Sequence, residues 1–284
     1  MTSRRYSLPT IIAATRAPKP LRDTASGQIA TERPLTVTRK RVSHPGLFPA
    51  AYAAARLRAG NSFAVTEAVI SIPDANLVGF EGFASEDEPL VAARANAAQF
   101  GGAAPVTPLA GSVLRFLAAA IGARSVVEIG TGCGSSGIWL LRGMRPGAVL
   151  TSVDVEPAHH RLARAAFGSA GFAAGRFRLI TGRALDVLPR LADGAYDMVF
   201  CDADKREYPE YLAAALRLLR PGGIVAFGSA LPAQEPDPAA IGHPLDPEAA
   251  AVGELRDQIG ADPGLVPLLL PIGDGFLAAV KRDA

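Results

Sequence analysis

Two cysteines in 284 residues, Cys133 and Cys201, are too few for a disulfide framework. Neither has a histidine or a second cysteine at metal-ligand spacing, so a thiolate metal centre is excluded. Such a chain is expected in the reducing cytoplasm. Long apolar runs are also missing. The longest, "VPLLLPI" at 266–272, is strand-sized and broken by proline, whereas a bilayer span needs ~20 residues. No membrane segment is therefore expected. Nor is there a strong excess of one charge over the body of the chain. The net charge is +2, but residues 1–45 hold nine basic and two acidic side chains, which leaves the remainder at −5. A mildly acidic body is not expected to bind nucleic acid. The basic stretch 1–45, with its Pro, Arg and Thr, reads as a disordered tail. Its "SRRYSLPTIIAATRA" has twin arginines, but Pro9 interrupts a short apolar stretch and Arg16 stands where a cleavage site needs a small residue. An export signal is not expected.

What is present has a clear order. "LFPAAYAAARLRAG" (47–60), "EDEPLVAARANAAQFG" (86–101) and "TPLAGSVLRFLAAAIGA" (107–123) read as helices. In the third, Leu109, Val113, Phe116 and Leu117 are expected on the buried face. Together, residues 46–123 read as a helical cap. From Ser125 short apolar runs alternate with helical stretches: "SVVEI" (125–129), "AVLTSVDV" (148–155), "RFRLIT" (176–181), "AYDMVFC" (195–201) and "GIVAF" (223–227). Strand–helix alternation of this kind builds right-handed βαβ units and a parallel sheet covered on both faces. The end breaks the rhythm: "LVPLLLPI" and "FLAAVKR" flank "GDG" (273–275), a hairpin signal. The proline-rich "LPAQEPDPAAIGHPLDP" (231–247) reads as a long loop. With the segment 86–110 it is expected to frame an acceptor pocket, and its His243 is a candidate to reach that pocket.

The first strand runs into "VVEIGTGCGSSG". Gly130, Gly132 and Gly134 allow a sharp turn and close approach of a ligand to the backbone. The glycines run G-x-G-x-G, with Ser135 at the third position of the dinucleotide fingerprint G-x-G-x-x-G. Glu128, two residues before the first glycine, would repel a pyrophosphate and attract an ammonium group. Asp154 ends the next strand, 24 residues after Gly130, where a carboxylate can accept both hydroxyls of a ribose. An amine at one end and a ribose at the other describe S-adenosylmethionine better than NAD. A bare glycine connection and a nucleotide-dependent oxidoreductase are the readings that Glu128 and Asp154 disfavour.

With these residues in view, the chain resembles the class I S-adenosylmethionine-dependent methyltransferases, and among them the catechol and caffeoyl-CoA O-methyltransferase group. The matching pieces are "VEIGTGCGSSGIWL", "TSVDVEP", "YDMVFCDADKREYPEYL", "LLRPGGIVAF" and "GDGFLAAV", in order, over about residues 86–282. The resemblance implies a Rossmann-like α/β fold over 124–284, a seven-stranded mixed sheet with its last strand antiparallel. It implies that Glu128 holds the methionine end of the cofactor, with Gly130, Thr131, Gly132 and Ser136 lining that pocket and Asp202 at its edge. Asp154 would bind the ribose, Val155 and Ala184 would flank the adenine, and Val106 would close over the cofactor. It also implies a small-molecule acceptor and a homodimer.

In metal-dependent members of that group an acid matching Asp202 binds Mg²⁺, and a lysine matching Lys205 takes the acceptor's proton. Two further ligands, Asp and Asn, come from the end of the fifth strand. Here Gly228 and Ser229 stand in those places. Mg²⁺ needs near-octahedral oxygen ligation, and Asp202 with a serine hydroxyl is a poor cage. The expectation is a metal-independent O-methyltransferase with Asp202 and Lys205 as catalytic candidates. The rival is a cofactor-binding protein of this fold without turnover. Asp204 is expected to cap the turn at 205–207. His159 and His160, beside Arg161 and Arg164, are expected at the surface. Cys133, Cys201, Trp139 and Leu140 are expected to pack in the interior.

Overall fold

The computed structural model describes residues 84–100, 104–231 and 246–283. The expected tail 1–45, the helix 47–60, nearly all of the loop 231–247 and His243 lie outside the described residues. Seven strands are formed: β1 (Ser125–Ile129), β2 (Val149–Asp154), β3 (Phe177–Thr181), β4 (Tyr196–Cys201), β5 (Leu219–Phe227), β6 (Leu265–Leu270) and β7 (Phe276–Lys281). They make one sheet in the order β3-β2-β1-β4-β5-β7-β6. β1 to β5 pair in parallel, while β7 lies antiparallel between β5 and β6. This is the expected mixed sheet. β5 begins four residues earlier than expected. Its pairing with β4 shifts between Tyr196↔Leu219 and Met198↔Ile224. Pro221, which has no N–H to donate, and two glycines fill the shift.

The apolar runs form strands because both faces of the sheet are covered. On one face Val126, Leu150, Met198 and Phe200 pack under α1 (Glu88–Phe100), α2 (Pro108–Ala120), α3 (Ser135–Gly143) and α4 (Pro157–Ser169). On the other, Val127, Ile129, Val199 and Phe227 pack under α5 (Ala184–Val187), α6 (Tyr208–Leu218) and α7 (Pro247–Ala261). α7 had no counterpart among the expected elements. Three helices start alike, with an acceptor side chain followed by proline. Thr107 accepts from Ala110 N at 3.3 Å, Glu156 from Ala158 N at 2.9 Å and Asp246 from Glu248 N at 3.4 Å. Asp204 caps the turn Lys205–Glu207 through Arg206 N at 3.0 Å, as expected. Among the described residues no helix is long and apolar enough to cross a membrane.

The buried face of α2 is turned from the expected one: Val113 and Leu117 pack half-buried against the core, but the most buried positions lie beside them. Ala110, Gly111, Leu114 and Ala118 face inward, and Phe116 is 67% exposed. The reason is proximity: a Cβ at Gly111 would lie 2.2 Å from Trp139 Nε1. The indole of α3 needs the room that a glycine leaves, so size rather than hydrophobicity selects the face. Gly111→Ala should therefore destabilise by about 2 kcal/mol and lower Tm by about 5 °C. Gly168→Ala in α4, where no atom of the described residues lies within 4 Å, is the control and should leave Tm unchanged or raise it. Thermal unfolding of the two variants checks this.

Candidate active site

The carboxyl ends of β1, β2 and β4 open on a cavity of about 620 Å³. The loop after β1 shapes its floor. Gly130 (φ +95°) turns the chain over Asp202, and Gly134 (φ +94°) starts α3 in a left-handed conformation closed to most side chains. Asp154 fastens the loop to β2. Its Oδ2 accepts from Gly132 N at 2.9 Å, and its Oδ1 accepts from Glu156 N at 2.9 Å. Val106, Asp154, Val155, Ala184 and Asp202 line the cavity together with Gly130, Thr131, Gly132 and Ser136. Every residue proposed for the cofactor is on that wall except Glu128.

Glu128 lies one layer below, with no exposed surface. It sits directly beside Ser152 in the β1–β2 register. Ser152 Oγ donates to Oε2 and Ser136 Oγ donates to Oε1, each at 2.6 Å. Burial lifts its carboxyl to about pKa 7, against the pull of these two hydroxyls, and the charges of Asp202 and Asp154 add to the rise. The acid thus meets the cavity through Ser136 and through the field it sets up, rather than by direct contact.

Asp202 follows β4 and is partly buried, with its backbone N–H donated to Ile129 O at 2.8 Å. Burial raises its carboxyl to about pKa 7; Lys205 opposes the rise and Asp274 adds to it. Lys205 Nζ is 3.7 Å from Glu248 Oε2, on the same wall. Gly228 and Ser229 end β5 opposite. A Cβ at Gly228 would lie 2.6 Å from Asp202 Oδ1. The Asp202 carboxylate thus lies against Gly228, which, like Ser229, brings neither a carboxylate nor an amide oxygen to the site. Ser229 takes φ +50°, unusual for a residue with a side chain. Among the described residues no three His, Cys, Asp or Glu side chains are grouped to hold a metal ion. These residues do not fit a Mg²⁺ cage.

Two expectations are corrected. His160 is buried, with Nε2 3.2 Å from Thr131 Oγ1 and Nδ1 2.9 Å from Thr181 Oγ1. His159 is mostly covered, and its Nδ1 is 3.2 Å from both Asp154 oxygens. Neither is a surface residue. The spacing of His160 with Ala163 and Phe167, both buried on α4, was the signal for the inward face. Asp274, Glu248 and His159 also line the cavity and were not foreseen. Asp274 lies in the hairpin turn, which reaches the site because β7 runs antiparallel beside β5. Cys133 and Cys201 are buried free thiols. Burial raises both, Cys201 the further, and Asp154 and Asp202 add to the effect. Cys201 packs inside, Cys133 is buried at the cavity wall, and Trp139 and Leu140 are interior as expected.

A family model described as O-methyltransferase matches residues 85–282. A Mycobacterium tuberculosis protein named as a probable O-methyltransferase is 50% identical over 202 residues, 71% of this chain and 88% of that one. The O-methyltransferase TomG of Streptomyces achromogenes, from tomaymycin synthesis and solved with S-adenosylmethionine, superposes with a TM-score of 0.64 at 28% identity, covering 74% of this chain and 96% of that one. An O-methyltransferase of Bacillus cereus, solved with S-adenosylhomocysteine, gives a TM-score of 0.63 at 28% identity over 74% of this chain and 97% of that one.

Proposed function

Because the chain belongs to the O-methyltransferase family, we propose that it transfers the methyl group of S-adenosylmethionine to a hydroxyl of a small acceptor, in the cytoplasm and without a metal ion. The observation that carries metal independence is that Gly228 and Ser229, beside the Asp202 carboxylate, offer neither a carboxylate nor an amide oxygen. The cofactor supplies an electrophilic methyl carbon on a sulfonium. The protein must hold it, aim the acceptor and receive a proton. Asp154 keeps acceptor capacity for a ribose beside the Gly132 N–H. The buried negative charge of Glu128 favours an ammonium over the loop. Val106 and Ala184 supply apolar wall, and Val155 is 63% exposed on the same rim.

At the other end stand Asp202, Lys205, Ser229 and Asp274. The acceptor hydroxyl's proton passes to Asp202, whose proton affinity is matched to neutral pH. Lys205, held near Glu248, supplies positive charge toward the developing oxyanion.

Methyl transfer to a panel of phenols, with and without EDTA, tests this reading. Turnover is expected to stay within about twofold on chelation. Gly228→Asp alone is expected to confer no Mg²⁺ stimulation, since Ser229 would still bring no amide oxygen to complete the cage. Chelator-sensitive turnover would refute metal independence. Tight cofactor binding with no turnover on any hydroxylated acceptor would favour a protein that binds without catalysis.

A further inference from the structure

The polar side chains under the glycine loop form one unbroken line. Ser152 Oγ donates to Glu128 Oε2 at 2.6 Å. The same Ser152 Oγ is 2.6 Å from Thr131 Oγ1, which is 3.2 Å from His160 Nε2. His160 Nδ1 is 2.9 Å from Thr181 Oγ1. The line joins β1, β2, α4 and β3. Glu128, Ser152, Thr131 and His160 are buried, and Thr181 is exposed.

Proton counting gives the line a direction. Each hydroxyl has one proton to donate. An ionised Glu128 only accepts, so Ser152 points its proton at Glu128. Ser152 then accepts from Thr131, and Thr131 accepts from His160. That places a proton on Nε2 and leaves Nδ1 of the neutral ring to accept from Thr181. A protonated Glu128 permits the reverse order, with every hydroxyl turned and the ring proton on Nδ1. The charge of Glu128 and the tautomer of His160 are therefore coupled.

We propose that His160 is a positioning residue for cofactor capture: its Nε2–H directs the Thr131 and Ser152 hydroxyls toward Glu128 and so holds that carboxylate ready for the cofactor's ammonium. This rests on the reading that S-adenosylmethionine binds over the loop. Burial lowers the pKa of His160, with Arg164 and His159 adding to the fall and Asp154 opposing it, so the ring is neutral at physiological pH. At Glu128 burial above all, and then the charges of Asp202 and Asp154, favour the proton, while Ser136 and Ser152 favour the carboxylate. Two hydroxyls donating in concert are what this buried acid has in place of a cation.

The test uses the full chain. Long-range ¹⁵N–¹H correlation at about pH 8.5, above the titration of both groups, reads the tautomer of His160 directly. Nε2–H is expected; Nδ1–H would overturn the proposal. Calorimetric titration with S-adenosylhomocysteine then compares wild type, His160→Leu and His160→Gln. The leucine removes the donor and is expected to weaken binding about tenfold and to raise the pH below which affinity is lost. The glutamine keeps a side-chain N–H and is expected to stay within about threefold of wild type. Equal affinity in all three would overturn the proposal, and so would equal loss in both variants. If the leucine variant fails to fold, the tautomer and the glutamine variant still decide. A wild type that does not bind S-adenosylhomocysteine would instead sink the cofactor reading, with the tautomer still judging the direction of the line.

Discussion

Glu128→Gln should make the protein more heat-resistant and at the same time cost it most of its cofactor affinity. The two effects share one cause. A carboxyl lifted from 4.5 to about 7 by burial holds a proton in the folded state that the unfolded chain has already lost. Stability therefore falls as pH rises between these two values, and the loss is complete above about pH 7. At 1.36 kcal/mol per unit it amounts to about 3 kcal/mol. Glutamine has the same shape and no charge, so it escapes the loss. The variant's advantage should be several degrees in Tm at about pH 8 and close to nothing at about pH 5. Affinity for S-adenosylhomocysteine should fall about 100-fold at neutral pH, as expected for removing a buried charge opposite an ammonium. Melting curves across pH and calorimetric titration measure both. A variant no more stable at the higher pH would show that Glu128 stays charged at no cost, and the account of its burial would be wrong.

Gly130→Ala is the second large effect. Gly130 has φ +95°, and a Cβ there would lie 2.3 Å from the carbonyl oxygen of Asp202 and 2.9 Å from its carbonyl carbon. Backbone cannot swing aside as a side-chain tip can. Gly130 N is tied to Val153 O at 2.9 Å, and Asp202 N to Ile129 O at 2.8 Å, so neither segment is free to retreat. The added methyl must part the ends of β1 and β4, where the floor of the cavity is built. A loss of about 3 kcal/mol is expected, with cofactor affinity down about 100-fold. Gly147→Ala separates the causes. It has φ +77° with no atom of the described residues within 4 Å, so it carries conformational strain alone and should cost about 1 kcal/mol. If the two variants proved alike, close packing of the loop on Asp202 would not be what the glycine serves.

The sheet was readable because its signal is local. β1 and β4 are short apolar runs buried on both faces, and their bounds fell within a residue of expectation. β5 escaped at its start because the Pro-Gly-Gly stretch reads as a turn, and only pairing with Tyr196 draws Leu219 into the strand. The helix faces were less legible. Hydrophobicity pointed to Phe116, yet the contact at Gly111 depends on an indole from another helix. The site divides in the same way. Loop residues and Asp154 follow from their place after a strand. His159 and His160 have their meaning from Asp154, Thr131 and Thr181, which come from three other elements. Asp274 needed the strand order to be known before its turn could be brought to the cavity.

β7 lies between β5 and β6, although it follows both in the chain. β6 therefore has nothing to pair with until a later segment has been made and inserted. On the ribosome, β1 to β5 can assemble early, while β6 waits with an unzipped edge until residues as far as Lys281 emerge. That edge carries Val266, Leu268 and Leu269, all well exposed even in the finished fold. Between the synthesis of β6 and the arrival of β7, this apolar strand is therefore open to pairing with other chains.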